Sequence, residues 1–115
     1  MMDQLEILMN LCAVARIEQA VASQRLDDGM QMLVYPMDSG MLLGLGYEGN
    51  EAHRVHAEEI LRRRSQDIEQ LCTWLPAMFS DGGVYVVRRF NHIPDVDEAP
   101  PLSEDELTAA MEMLA

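Results

Sequence analysis

The residues capable of ligand or proton chemistry are few. His53 and His56 lie one helical turn apart and run into Glu58 and Glu59, in the stretch HRVHAEE. Imidazoles at that spacing can share a metal ion, with a carboxylate as a further ligand. No cysteine or third histidine is near them in sequence, and His92 sits in a Pro-rich stretch. A solvated helix face is the expected reading, and no metal site is assigned. Ser39 and Ser80 fall in turn-like segments and Ser65 on an exposed helix face, with no histidine and acid arranged around any of them. GLGYEG at 44–49 has the glycine density of a phosphate loop, but lacks both the Walker lysine and the GxGxxG spacing. Arg62, Arg63 and Arg64 follow Glu58 and Glu59 at helical spacing, so they read as a paired helix face. No catalytic residue, metal or cofactor is therefore expected, and the protein is not expected to be an enzyme.

What the sequence offers instead is apolar surface. Met30, Met32, Met37, Met41, Leu43 and Leu45 crowd one short region, more than one sheet face needs. Methionine is flexible and polarizable and suits surfaces that accept irregular partners; the equal alternative is that these methionines simply fill a small core.

The elements that must carry this surface follow from periodicity and turn residues. Asp3 to about Ala22 has no Gly or Pro. Leu5, Leu8, Leu11, Cys12 and Ala15 make one helical stripe, and Ile7, Val14, Ile17 and Val21 a second. A helix apolar over so wide an arc touches protein on two sides. Strands are expected over Met30–Tyr35 and Met41–Tyr47, after turn signals at Asp27-Asp28-Gly29 and Pro36–Gly40. Gly44 and Gly46 strip one face of the second strand, which points to a bulge, to close approach by another chain, or to a twisted strand packed under a helix. Asn50 should cap a long helix running to Leu71 or Cys72, with Glu51 in its first turn. Ser80-Asp81-Gly82-Gly83 joins two β-prone runs, Thr73–Phe79 and Val84–Phe90, in a hairpin. Pro76 marks the first run as an edge strand or a bulge. Residues 91–102 read as a Pro- and acid-rich linker, and Ser103 to Glu106 as a capping box opening a short helix with Leu107, Ala110, Met111 and Leu114 on one face. The fold class is α+β: an antiparallel sheet with helices packed on it, in the order α-β-β-(β)-α-β-β-α, within a single domain over 1–115.

Charge narrows the partners. The net charge is −12, and all eight basic residues are Arg. Such a field disfavours nucleic acid and anionic membrane, which need clustered positive charge. The opening MMDQLEILMN is acidic, unlike a secretory leader, and no apolar run reaches the ~18–20 residues of a membrane span. A cytoplasmic protein with two reduced thiols, Cys12 and Cys72, is expected.

The whole pattern resembles the type III secretion chaperones of the Tir-chaperone (CesT-like, class I) kind. These are small acidic proteins of order α-β-β-β-α-β-β-α. The first helix, MQMLVYPMDSGMLLGLGYEG, the middle helix, TWLPAMFSDGGVYVVRRF and SEDELTAAMEML follow that order. The missing strand would lie within Ser23–Asp28. The resemblance implies a cytoplasmic homodimer that binds the N-terminal segment of a secreted effector in extended form and keeps it competent for secretion. The middle helix and the late hairpin would form the dimer interface, through Ile60, Leu61, Ile68, Trp74 and Val86. Partner contact is assigned to Leu5, Leu8, Leu33, Tyr35, Leu43 and Leu45, apolar residues on elements expected at the outer side of the sheet. A register shifted by one residue would turn the opposite strand set outward. The alternative is a regulatory module on the same fold that sequesters an activator or another chaperone; a metal-dependent enzyme and a plain subunit of a larger complex are the remaining classes.

Overall fold

The computed structural model describes residues 3–26, 29–50 and 56–114. Helix α1 (Gln4–Glu18) starts where Asp3 caps it, its carboxylate accepting a hydrogen bond from the Glu6 amide at 2.9 Å. That satisfies one of the amides every helix start leaves unpaired. Gln19, in the left-handed conformation (φ 52°), ends it. The helix thus stops short of Ala22, because the chain uses Ala22 as the inward residue of an edge strand, β1 (Ala22–Arg25).

β1 pairs with β2 (Gln31–Met37), which turns through Asp38 and Ser39 into β3 (Gly40–Tyr47). β4 (Leu75–Met78) and β5 (Val84–Phe90) form the second hairpin, closed by the Phe79 amide donating to the Gly83 carbonyl at 2.8 Å. All pairs are antiparallel, in the order β1-β2-β3-β5-β4. Pro76 lies on the edge strand β4, where a missing N–H costs no ladder bond. β4 is shorter than the expected Thr73–Phe79 run, since Trp74 turns the chain with its amide bonded to the Leu71 carbonyl.

The register decides the two faces. Met32 opposes Leu45, Val34 opposes Leu43, and Leu45 opposes Val86. These residues and Met41 are fully buried, beneath α1 on the β1–β2 side and beneath α4 (Glu104–Met113) on the β3 side. Leu8, Cys12 and Ala15 of α1 and Leu107, Ala110 and Met113 of α4 complete the layer. Each fully buried Leu contributes about 1.5–3 kcal/mol. α4 begins with the expected capping box: Ser103 Oγ accepts from the Glu106 amide, and the Glu106 carboxylate accepts from the Ser103 amide.

The middle helix differs from expectation. It runs as α2 (Ala57–Gln66) and a short α3 (Ile68–Leu71), interrupted at Asp67, whose backbone is non-helical (φ −134°, ψ 55°). His56 stands at the N-cap without a side-chain cap bond; Asn50 lies in a separate turn, and Glu51 is outside the described residues. The arginines fasten elements together. Arg64 donates to the Trp74 and Cys72 carbonyls at 2.8 and 3.0 Å, and Arg63 to the Glu112 and Met113 carbonyls closing α4. Glu59 pairs with both Arg62 and Arg63, one turn on, while the expected Glu58–Arg62 pair does not form.

Residues 91–102, expected as a linker, form an irregular strap. Pro94 and Leu102 are buried, and Arg16 of α1 holds Asp95 at 3.1 Å. Among the described residues no helix is long and apolar enough to cross a membrane.

Candidate partner-binding surface

Among the described residues no helix covers the second face of the sheet. Its cross-strand rows follow from the same register. One row runs Ser23, Leu33, Gly44, Val87, Leu75; the next runs Tyr35, Leu42, Arg89. Leu33, Leu42 and Val87 are half-buried by their neighbours, whereas Tyr35 and Leu75 are about half exposed, at 50% and 55%. A third row runs Arg25, Gln31, Gly46, Tyr85, Ala77. The face is therefore an apolar field with guanidinium groups at Arg25 and Arg89.

Gly44 and Gly46 lie on this face, and the close approach expected there comes from the protein's own side chains. A Cβ on Gly46 would stand 2.6 Å from Tyr85 Cγ, and one on Gly44 3.0 Å from a Leu33 methyl. Phe79 stacks on Tyr85, with ring centroids 4.4 Å apart and planes 15° apart. Burial, followed by the nearby Glu48 and Asp81 carboxylates, raises the Tyr85 phenol above its ordinary range.

The six residues assigned to partner contact split. Leu33 and Tyr35 lie on the open face. Leu43 and Leu45 have the opposite parity and are fully buried under the helices, as is Leu8 on the inner side of α1. These three are corrected to core positions, because contact with a partner would require opening the hydrophobic interior. Leu5 is partly buried against the core at the start of α1. Leu42, Leu75 and Val87 share the open face and were missed: the run Met41-Leu42-Leu43 is apolar at every position, so alternation gives no parity.

The five residues assigned to dimer contact also divide. Ile60, Trp74 and Val86 are buried within the single chain, so they are not available to a second copy; they support the surface from behind. Leu61 and Ile68 are about half exposed; α2 packs against β4, whose last residue, Met78, is exposed. Of the second apolar stripe expected on the first helix, Ile7 is buried, while Val14, Ile17 and Val21 are exposed, Ile17 by 81%.

The polar groups have structural partners. Arg88, on the helix side of β5, donates to Glu106 Oε2 at 2.7 Å and lies over the Trp74 and Phe90 rings. That hydrogen bond, with the Ser103 amide and the Arg88 charge, holds the Glu106 carboxyl below its usual range. Burial pushes the Cys12 thiol up to about 11, next to Met41 Sδ at 3.7 Å; Cys72 is exposed, and both cysteines are free. His53 of HRVHAEE lies outside the described residues, and His56 is exposed. Among the described residues no group of three His, Cys, Asp or Glu is placed to hold a metal ion.

No family model matches this chain, and no curated protein matches it. Among solved structures it is similar to a chain of the crystal structure of the ExsC-ExsE complex, at 18% identity and a TM-score of 0.45, over 98% of this chain and 89% of that one.

Proposed function

We propose that this chain is a binding protein that performs no chemistry, acting as a cytoplasmic type III secretion chaperone that holds the N-terminal segment of a secreted effector in extended form. The observation that carries this reading is the helix-free sheet face, with Leu33, Tyr35, Leu42, Val87 and Leu75 in cross-strand rows. Such a face matches an extended polypeptide in chemistry and in repeat: alternate side chains fill apolar depressions, while an open strand edge can pair with main chain. The element order, with three strands before the middle helix and two after, agrees with the resemblance drawn from the sequence.

The same reading includes a homodimer. Leu61 and Ile68, with Met78, form the candidate two-fold contact, in which each copy offers the same patch. Hydrogen exchange of the chain purified from its native cell with whatever polypeptide co-elutes tests the function. The expected result is a partner whose unstructured N-terminal segment protects amides of an edge strand, β1 or β4. A folded partner bound elsewhere would favour the sequestering module, and turnover of any bound small molecule would overturn the non-enzymatic reading.

A further inference from the structure

The five strands carry no Asp or Glu at any position, in a protein with twenty acids. Every described carboxylate lies off the strands. At the Gln31 end of the open face Glu48 accepts a hydrogen bond from Gln31 at 2.6 Å, whereas the strand positions around Arg89 carry no acid. Arg89 stands there at the end of the row Tyr35, Leu42, Arg89, exposed, with its guanidinium 3.5 Å from Ser39 Oγ and in no ion pair among the described residues. Its neighbour Arg88 has the contrasting arrangement, turned to the helices and held by Glu106. Arg25 adds a second guanidinium to the open face, cross-strand from Gln31.

From this charge pattern we propose that the segment seated on the open face is apolar and acidic: alternating apolar residues with a carboxylate that lands on Arg89. The inference rests on the reading that this face holds a polypeptide. Two terms compete. The net charge of −12 repels an acidic segment at long range. That field decays over about 8 Å at physiological ionic strength, whereas a carboxylate on a guanidinium acts at contact and in good geometry is doubly hydrogen-bonded. With no carboxylate on the strands to oppose it, the local pair decides. The spacing fits as well: neighbouring strands are about 4.8 Å apart and alternate residues of an extended segment about 6.7 Å, so an apolar residue over Leu42 places the next same-side residue within reach of Arg89.

The test uses the full chain and a labelled peptide of alternating leucine and serine carrying one aspartate, compared by fluorescence anisotropy with the same peptide bearing asparagine or lysine in that place. The aspartate peptide should bind about tenfold more tightly than the lysine peptide at low salt, and the gap should narrow as salt is added. Arg89→Gln should erase the gap between the aspartate and lysine peptides, and Arg89→Glu should reverse it. Equal affinity for the three peptides, or preference for lysine, overturns the acidic assignment and leaves the sheet face as a binding surface. Failure of all three to bind overturns both.

Discussion

The ring of Tyr85 lies against Gly46: the two are cross-strand partners, and a Cβ on Gly46 would stand 2.6 Å from Tyr85 Cγ. The missing side chain on β3 is thus occupied from β5, and Phe79 stacks on the other side of the same ring. The glycine lets a buried aromatic fold down onto the sheet.

Gly46→Ala should therefore destabilise the protein by about 1–3 kcal/mol, the scale of overpacking where backbone and a stacked ring must move together. At Gly44 the nearest atoms are the ends of the flexible Leu33 side chain, at 3.0 and 3.1 Å. Gly44→Ala should cost less than about 1 kcal/mol, since Leu33 can rotate away and alanine reduces the freedom of the unfolded chain. Urea unfolding of the two variants measures the contrast; equal midpoints would show that Tyr85 yields as easily as Leu33.

Opposite parities on neighbouring strands give the second contrast. Leu43 is fully buried, so Leu43→Ala should cost about 2–5 kcal/mol and Leu43→Glu should leave no folded population. Tyr35 is half exposed on the open face, so Tyr35→Glu should keep stability within about 0.5 kcal/mol while abolishing partner binding. Circular dichroism and the peptide-binding measurement read the two effects separately. A stable, folded Leu43→Glu protein would contradict the register.

How much of this was legible in sequence depends on how local each signal is. Ser80 to Gly83, the Ser103–Glu106 capping box and Pro76 on an edge strand are decided by neighbouring residues, and each is found where the sequence places it. The parity of β3 is not local: Met41, Leu42 and Leu43 are all apolar, and only pairing with β2 and packing under α1 turn Leu42 outward and Leu43 inward. The break at Asp67 is equally hidden, since the helical period continues across it while Arg64 fastens the chain to the Trp74 carbonyl. Arg89 falls within the β-prone run Val84–Phe90, and nothing local in that run says which face it takes. The absence of acids from the strands is written in the sequence, but it becomes a property of one surface only once the strands are joined.

On the dimer, light scattering at micromolar concentration should give about twice the 13.0 kDa chain mass. Leu61→Asp with Met78→Asp should give the monomer mass with unchanged circular dichroism, because both side chains are exposed in the single chain. A monomeric parent protein would remove the two-fold contact from the proposed function and leave the sheet face unaffected.

The two thiols should differ in reactivity. Cys12 is fully buried and its thiol is pushed up to about 11, so the thiolate that attacks a disulfide reagent is nearly absent at pH 8. Cys72 is exposed. One thiol per chain should react rapidly in the native state and two in denaturant. Two fast thiols in the native protein would mean that α1 opens readily from the sheet.

The pair Arg88–Glu106 links β5 to α4 and should make stability fall in acid. The Arg88 hydrogen bond, with the Ser103 amide and the Arg88 charge, lowers the Glu106 pKa in the folded state relative to the unfolded chain. A depressed carboxyl contributes stability that is present above its unfolded value, about 4.3, and is lost as pH falls through the lower folded value. Stability should therefore be insensitive to this group between pH 7 and 5 and drop below about pH 4. Glu59 and Glu98, lowered by hydrogen bonds from Arg62 and His92, move in the same direction. Glu106→Gln isolates the pair, because glutamine can still complete the capping box and only the charge on Arg88 is lost. With the Glu106 side chain 42% exposed, solvent screens part of the attraction, so the variant should lose about 1 kcal/mol at pH 7. Urea midpoints of parent and variant should converge once the pH is below the lowered folded value of Glu106, where the carboxyl is protonated in both states. A difference that persisted there would assign the contribution of Glu106 to packing or capping, and not to its charge.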